Sequence, residues 1–172
     1  VGYRDGSGQN GAGWKNAMAS VDTNEEGKKY KCVVLNTIGI EVKKTGIDVT
    51  GKIVFVSRGE TNFADKANVA VDMGAIATVV YNNEPGTINM ILTGYYEEAP
   101  CVLITQASGN IVREHSTAAT TDRGVTYYTG KVTVESKVKA NIANSDYYHM
   151  SSFSSWGVPG DLSMKPEITA PG

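Results

Sequence analysis

The sequence predicts a mixed α/β fold, and three observations carry that expectation. The run KIVFVS (Lys52–Ser57) is apolar on both parities and follows Gly51, the pattern of a strand buried on two faces. A helical period comes next, and AIATVVY (Ala75–Tyr81) then repeats the strand pattern. Further on, GVTYYTGKVTVESKVKANI places Val132, Val134 and Val138 on one parity and Thr133, Glu135, Lys137 and Lys139 on the other. That alternation belongs to a half-buried antiparallel strand with one wet face.

The helix between the first two runs is delimited by its own residues. Asn62 is a good N-cap, and Asp65 three residues later makes an approximate capping box. Phe63, Ala67, Ala70 and Val71 fall on one helical face. Gly74 follows as the C′ residue, where a positive φ is cheapest without a Cβ. Strand, helix and strand in this span form a βαβ unit with parallel strands and a right-handed crossover. Its alanines, Ala64, Ala67 and Ala70, let the helix lie close on the sheet.

The remaining elements read less sharply. YKCVVLNTIGI begins a run of strand signals, and APCVLIT (Ala99–Thr105) is another buried strand. QASGNIVREHS (Gln106–Ser116) is a short helix capped by Thr105 or Ser108. NAMASVD (Asn16–Asp22) is a short apolar segment, Gly6–Gly13 a glycine-rich loop, and NNEPG (Asn82–Gly86) a turn. After Asn141 the composition turns rich in Ser, Tyr, Pro and Gly.

Composition bounds the function. The chain has 172 residues, 41% hydrophobic and 20% charged, which is ordinary for a globular domain able to bury a full core. A net charge of -2 argues against a nucleic-acid or membrane-surface role, and no apolar run approaches membrane-spanning length. The opening VGYRDGSGQNG reads as the interior of a longer protein. Cys32 and Cys101 each sit in an apolar run, and both buried free thiols and a long-loop disulfide fit that placement.

The chemical motifs are weak. GSGQNG (Gly6–Gly11) has dinucleotide-loop spacing without a strand before it or a helix start after it, so it reads as a loop and no cofactor is expected. His115 reads as a surface residue beside Glu114. His149 has Asp146 and Ser151 near it, but a catalytic triad is a matter of geometry, and no G-x-S-x-G elbow occurs. No metal-ligand spacing stands out; Asp22, Asn24 and Glu25 read as a solvated turn. No catalytic residue and no metal is therefore assigned.

A contact site is expected at the carboxyl ends of the parallel strands, where open α/β sheets bind ligands. That places Arg58, Glu60, Asn62, Asn82 and Asn83 together as peptide-contact candidates. Tyr95 and Tyr96 join them if their rings are exposed on the loop; the alternative is that both rings cover the end of the sheet.

GKIVFVSRGETNFADKANVAVDMGAIATVVYNN (Gly51–Asn83) followed by APCVLITQASGNIV (Ala99–Val112) resembles a protease-associated (PA) domain. The resemblance rests on Gly51–Val54, Arg58–Gly59, Phe63, Lys66, Gly74–Ala75, Tyr81–Asn83, Pro100 and Gly109. It implies a sheet partly closed into a barrel, with flanking helices. FSSWGVPGDLSMKPEITAPG (Phe153–Gly172) resembles the segment of subtilisin-like serine proteases that leads toward the nucleophile's Gly-Thr-Ser-Met-Ala motif, and NAMASVD resembles the protease strand before the insertion point. The division implied is a protease stub over 1–24, a PA domain over 25–141 and a second stub over 142–172. The parent would be an extracellular or cell-surface serine endopeptidase of the bacterial cell-envelope, lactocepin-like type. This segment would be its non-catalytic module for substrate access or binding. Its partners would be a protein or peptide substrate and the catalytic domain of the same chain. A peptide-binding or sorting-receptor PA module with no protease attached is the alternative.

Overall fold

The structure is a computed structural model that describes residues 2–6, 18–21, 28–37, 42–86, 88–95 and 99–135. The chain divides after Ser136, and all of these residues belong to the first unit, Val1–Ser136. Seven strands form one sheet: β1 (Arg4–Asp5), β2 (Lys29–Leu35), β3 (Ile53–Ser57), β4 (Ala77–Tyr81), β5 (Cys101–Ile104), β6 (Thr117–Thr120) and β7 (Thr126–Thr133). Their order is β1-β5-β4-β3-β2-β7-β6. Helices α1 (Val42–Thr45), α2 (Phe63–Asp72) and α3 (Gln106–Glu114) and a single 3-10 turn (Met18–Val21) complete the described elements.

Strands β2 to β5 run parallel; β1 pairs antiparallel with β5, β7 antiparallel with β2, and β6 antiparallel with β7. The mixed α/β class and the βαβ unit are as expected. The ladder itself stays open among the described residues, with β1 and β6 as its edges. Those edges are two and four residues long and stand at opposite ends of the order, so no hydrogen bonds join them into the barrel-like closure.

The parallel register explains why the central strands are apolar on both parities. Val33, Val54, Thr78 and Cys101 stand in one row across β2, β3, β4 and β5. Val34, Phe55, Val79 and Val102 form the next row. Alternation sends the rows to opposite faces. Val33, Val54 and Cys101 join a core layer with Ala64, Ala67 and Ala70 of α2. The second row joins Met18, Ile53 and Ile104, with Val112 of α3 packed against them. Each fully buried valine contributes about 1.5–3 kcal/mol relative to an exposed one.

Helix α2 occupies the expected span, with two differences. Asn62 stands at the N-cap, but its side chain makes no capping hydrogen bond. The buried positions are Ala64, Lys66, Ala67 and Ala70, while Phe63 and Val71 are half-buried, so the helix is turned toward its small residues. Lys66 is 1% exposed and has an interaction partner. Gly74 ends the helix at φ +83°, and its carbonyl accepts from the Gly51 amide at 2.8 Å.

The amino-terminal residues belong to the same sheet. Arg4 and Asp5 pair with Leu103 and Val102 of β5. A Cβ on Gly6 would fall 2.5 Å from Leu92 Cδ1, so the chain passes there against the core. Where resemblance implies a protease strand at NAMASVD, residues Met18–Val21 form a 3-10 turn. Met18 enters the second core layer, and the Val21 carbonyl accepts from the Tyr30 hydroxyl.

Candidate functional site

Because β3, β4 and β5 are parallel, their carboxyl ends meet at one edge of the sheet. The ladder continues past the strands there: the Arg58 amide donates to the Tyr81 carbonyl at 2.8 Å and the Asn82 amide to that of Ile104 at 3.0 Å. Arg58, Asn82 and the start of α3 are thereby brought together, as the topology predicts.

Asn82 organises the group. It is 1% exposed. Its Oδ1 accepts from the Arg58 guanidinium at 3.2 Å, and its Nδ2 donates to the Gly86 carbonyl at 3.2 Å. One buried amide thus holds the arginine and closes the turn after β4, with Gly86 at φ +99°. Asn83, the next residue, is exposed, and its carbonyl accepts from Gln106 Nε2 at 2.8 Å. Gln106 is a member that sequence reasoning missed; its place, first residue of the helix that follows a buried strand, is the signal that would have found it.

Arg58 is half-buried and in no ion pair among the described residues, while Glu60 and Asn62 are exposed beside it. A guanidinium offers five N–H donors. The edge therefore combines a cation, a carboxylate and amides, a set suited to polar contacts with a peptide main chain.

Tyr95 does not join this edge, which corrects the exposed-loop reading. It is 8% exposed and packs with Met90 and Leu92 in the first core layer. Its hydroxyl donates to the Ala99 carbonyl and accepts from the Ala99 amide, so burial leaves the phenol satisfied. Tyr96 lies outside the described residues, as do His149, Asp146, Ser151, Asp22, Asn24, Glu25 and the segment Phe153–Gly172.

Thr105 caps α3, its Oγ1 accepting from the Ser108 amide at 3.2 Å. Gly109 then meets Tyr81: an added Cβ would lie 2.6 Å from Tyr81 Cβ. The Tyr81 hydroxyl donates to the Leu35 carbonyl at 2.7 Å, and burial pushes its pKa up. His115 is exposed, with Nδ1 2.8 Å from the Ile111 carbonyl. Cys32 and Cys101 are both free and buried, and desolvation pushes their thiols up to about 11 and about 12. Neither is a thiolate at neutral pH. No group of three or more His, Cys, Asp or Glu that could hold a metal occurs among the described residues, and no described helix is long and apolar enough to cross a membrane.

The fold is an open α/β sheet with a polar, helix-flanked edge, and the family follows from comparison. The PA domain family model matches residues 10–112, and the chain belongs to that family. Its relatives include C5a peptidase of Streptococcus pyogenes, 30% identical over 73% of this chain. Minor extracellular protease Vpr of Bacillus subtilis is 33% identical over 80% of the chain, and PII-type proteinase of Lacticaseibacillus paracasei is 32% identical over 73%. The chain spans 10%, 16% and 6% of the lengths of these three relatives.

Proposed function

We propose that this chain is the non-catalytic protease-associated part of a secreted, subtilisin-like serine endopeptidase, and that its strand-end edge holds or admits protein substrate. The observation that carries the reading is the PA match in a chain whose similar proteins are named as proteases or peptidases. An extracellular or cell-surface location is part of the proposal, supported by the relative named as extracellular. So is the division into 1–24, 25–141 and 142–172, with the PA module working beside a catalytic domain of the same parent chain.

At the edge, Arg58, Glu60, Asn62 and Asn83 supply the contacts, and Asn82 holds the arginine in place. The parent enzyme would cleave by acyl transfer through a serine outside this module. The module acts on capture of large substrates, whose remote binding energy lowers the barrier for the reacting segment. The test compares substrates in the parent protein. Glu60→Ala combined with Asn62→Ala and Asn83→Ala raises KM for a protein substrate and leaves a short chromogenic peptide unaffected. Equal loss on both substrates, or casein hydrolysis by this chain alone, refutes the reading.

A further inference from the structure

A row of lysines crosses β7 and β2 and reaches the start of β3. Lys131 of β7 is the cross-strand partner of Lys31 of β2. Lys52 immediately precedes Ile53, the first residue of β3 and the partner of Cys32, and so stands beside Lys31 at the entry to β3. The three Cα positions are spaced by about 4.8 Å per strand. Lys29 lies two residues before Lys31, on the same face, opposite Thr133.

Like charges placed directly opposite one another across a sheet destabilise it. Only Lys52 is compensated: its Nζ meets Asp48 Oδ2 at 2.6 Å and the Asp48 carbonyl at 2.7 Å. Lys31 and Lys131 are exposed and have no ion pair among the described residues. An open depression of about 500 Å³ lies at the row, lined by Lys31, Cys32, Lys52, Thr129, Gly130 and Lys131. Alternation sends the Cys32 side chain to the other face, so the backbone of the Cys32–Gly130 pair floors the depression between lysine walls and a threonine hydroxyl.

From this we infer that the β7-β2-β3 face is a second contact surface, and that it takes an acidic, extended stretch of polypeptide. Along β2, Lys29 and Lys31 repeat at roughly 6.6 Å, the interval of alternate side chains in any extended chain. Carboxylates at every second residue match it. A nucleic-acid polyanion is a poor occupant, because it needs many basic contacts, and this chain has a net charge of -2. The choice of a polypeptide rests on the proposed role in holding protein substrate; the surface is separate from the strand-end edge.

The test measures fluorescence anisotropy of a labelled peptide of alternating glutamate and serine against the intact chain. A serine–glycine peptide of equal length and inorganic tripolyphosphate serve as competitors. The acidic peptide binds, salt weakens it, and Lys31→Gln with Lys131→Gln lowers affinity at least about tenfold. Lys44→Gln, on α1, leaves it unchanged. The same double variant melts higher by roughly 1–4 °C, because the repulsion is gone. That rise reports a folded protein, so lost binding is not lost structure. Unchanged affinity in the double variant, equal binding of the serine–glycine peptide, or tripolyphosphate competing as well as the acidic peptide overturns the inference. None of those outcomes touches the strand-end reading, which fails on its own KM comparison or on casein hydrolysis by this chain alone.

Discussion

Cys32 and Cys101 lie on opposite faces of one sheet. Cys32 packs with Val34 and Phe55 in one core layer, and Cys101 with Leu103 and Val54 in the other. Two side chains pointing away from each other through a sheet cannot form a disulfide without rearranging the backbone. Both thiols should resist a disulfide-exchange reagent in the native chain and react after denaturation, and reductant should leave the melting temperature unchanged. A thiol titre of zero in denaturant without reductant would contradict this.

The same thiols set an alkaline limit. Their folded pKa values are raised from 9.0 to about 11 and about 12. Above pH 9 the unfolded chain loses these protons first. Their contribution to stability is therefore complete below pH 9 and is lost as pH rises toward the folded values. Each thiol removes up to about 1.4 kcal/mol per pH unit within that window. Urea midpoints measured from pH 8 upward should decline, and Cys101→Ala, though less stable at neutral pH, should decline less steeply.

Asp48 gives the acid counterpart. Its hydrogen bond from Lys52, then those from Thr50, hold its carboxyl down from 3.8 to about 2. A depressed carboxylate stabilises the fold above its unfolded pKa, and that contribution is lost as pH falls from 3.8 through 2. The side chain is exposed, so the readout is its own titration by NMR. Lys52→Gln should bring the midpoint back toward 3.8.

Gly109 is fixed by Tyr81. Gly109→Ala gains helix propensity worth about 1 kcal/mol, but its methyl would sit 2.6 Å from Tyr81 Cβ. Overpacking of that kind costs about 1–3 kcal/mol, so the net effect is a lower melting temperature. A rise on substitution would show that α3 can shift away from β4 at little cost.

Asn82→Ala removes both side-chain bonds of a buried amide, leaving the Gly86 carbonyl without its donor and Arg58 without its anchor. The cost should be about 1–3 kcal/mol in a denaturant titration. Asn82→Asp keeps the acceptor for Arg58 and loses the donor to Gly86. It buries a charge beside a guanidinium and should fall between wild type and alanine.

The central elements were legible because their signals are local. Residues 53–57 and 77–81 are apolar on both parities, and Gly74 punctuates the turn between them. Thr117–Thr120 gave no such signal: a short Thr-Ala run becomes β6 only because β7 offers it an edge. Arg4–Asp5 is a strand for the same reason, beside β5. At the candidate site, sequence located the strand ends but could not separate two adjacent asparagines. Asn82 turns inward and Asn83 outward, and the choice is made by Gly86 in the same turn together with Arg58, which is remote in sequence. Tyr95 went inward because Ala99 satisfied its hydroxyl, a pairing set by loop geometry.

The strand order also fixes how the module would bear load. β1 is separated from β7 by four intervening strands, so Asp5 and Thr133 are attached to ladders about 24 Å apart across the sheet. Tension applied between those two grips runs along the inter-strand hydrogen bonds rather than along the strands. Such a pull peels ladders one after another instead of shearing them together, and makes the sheet a compliant element between whatever holds its two sides.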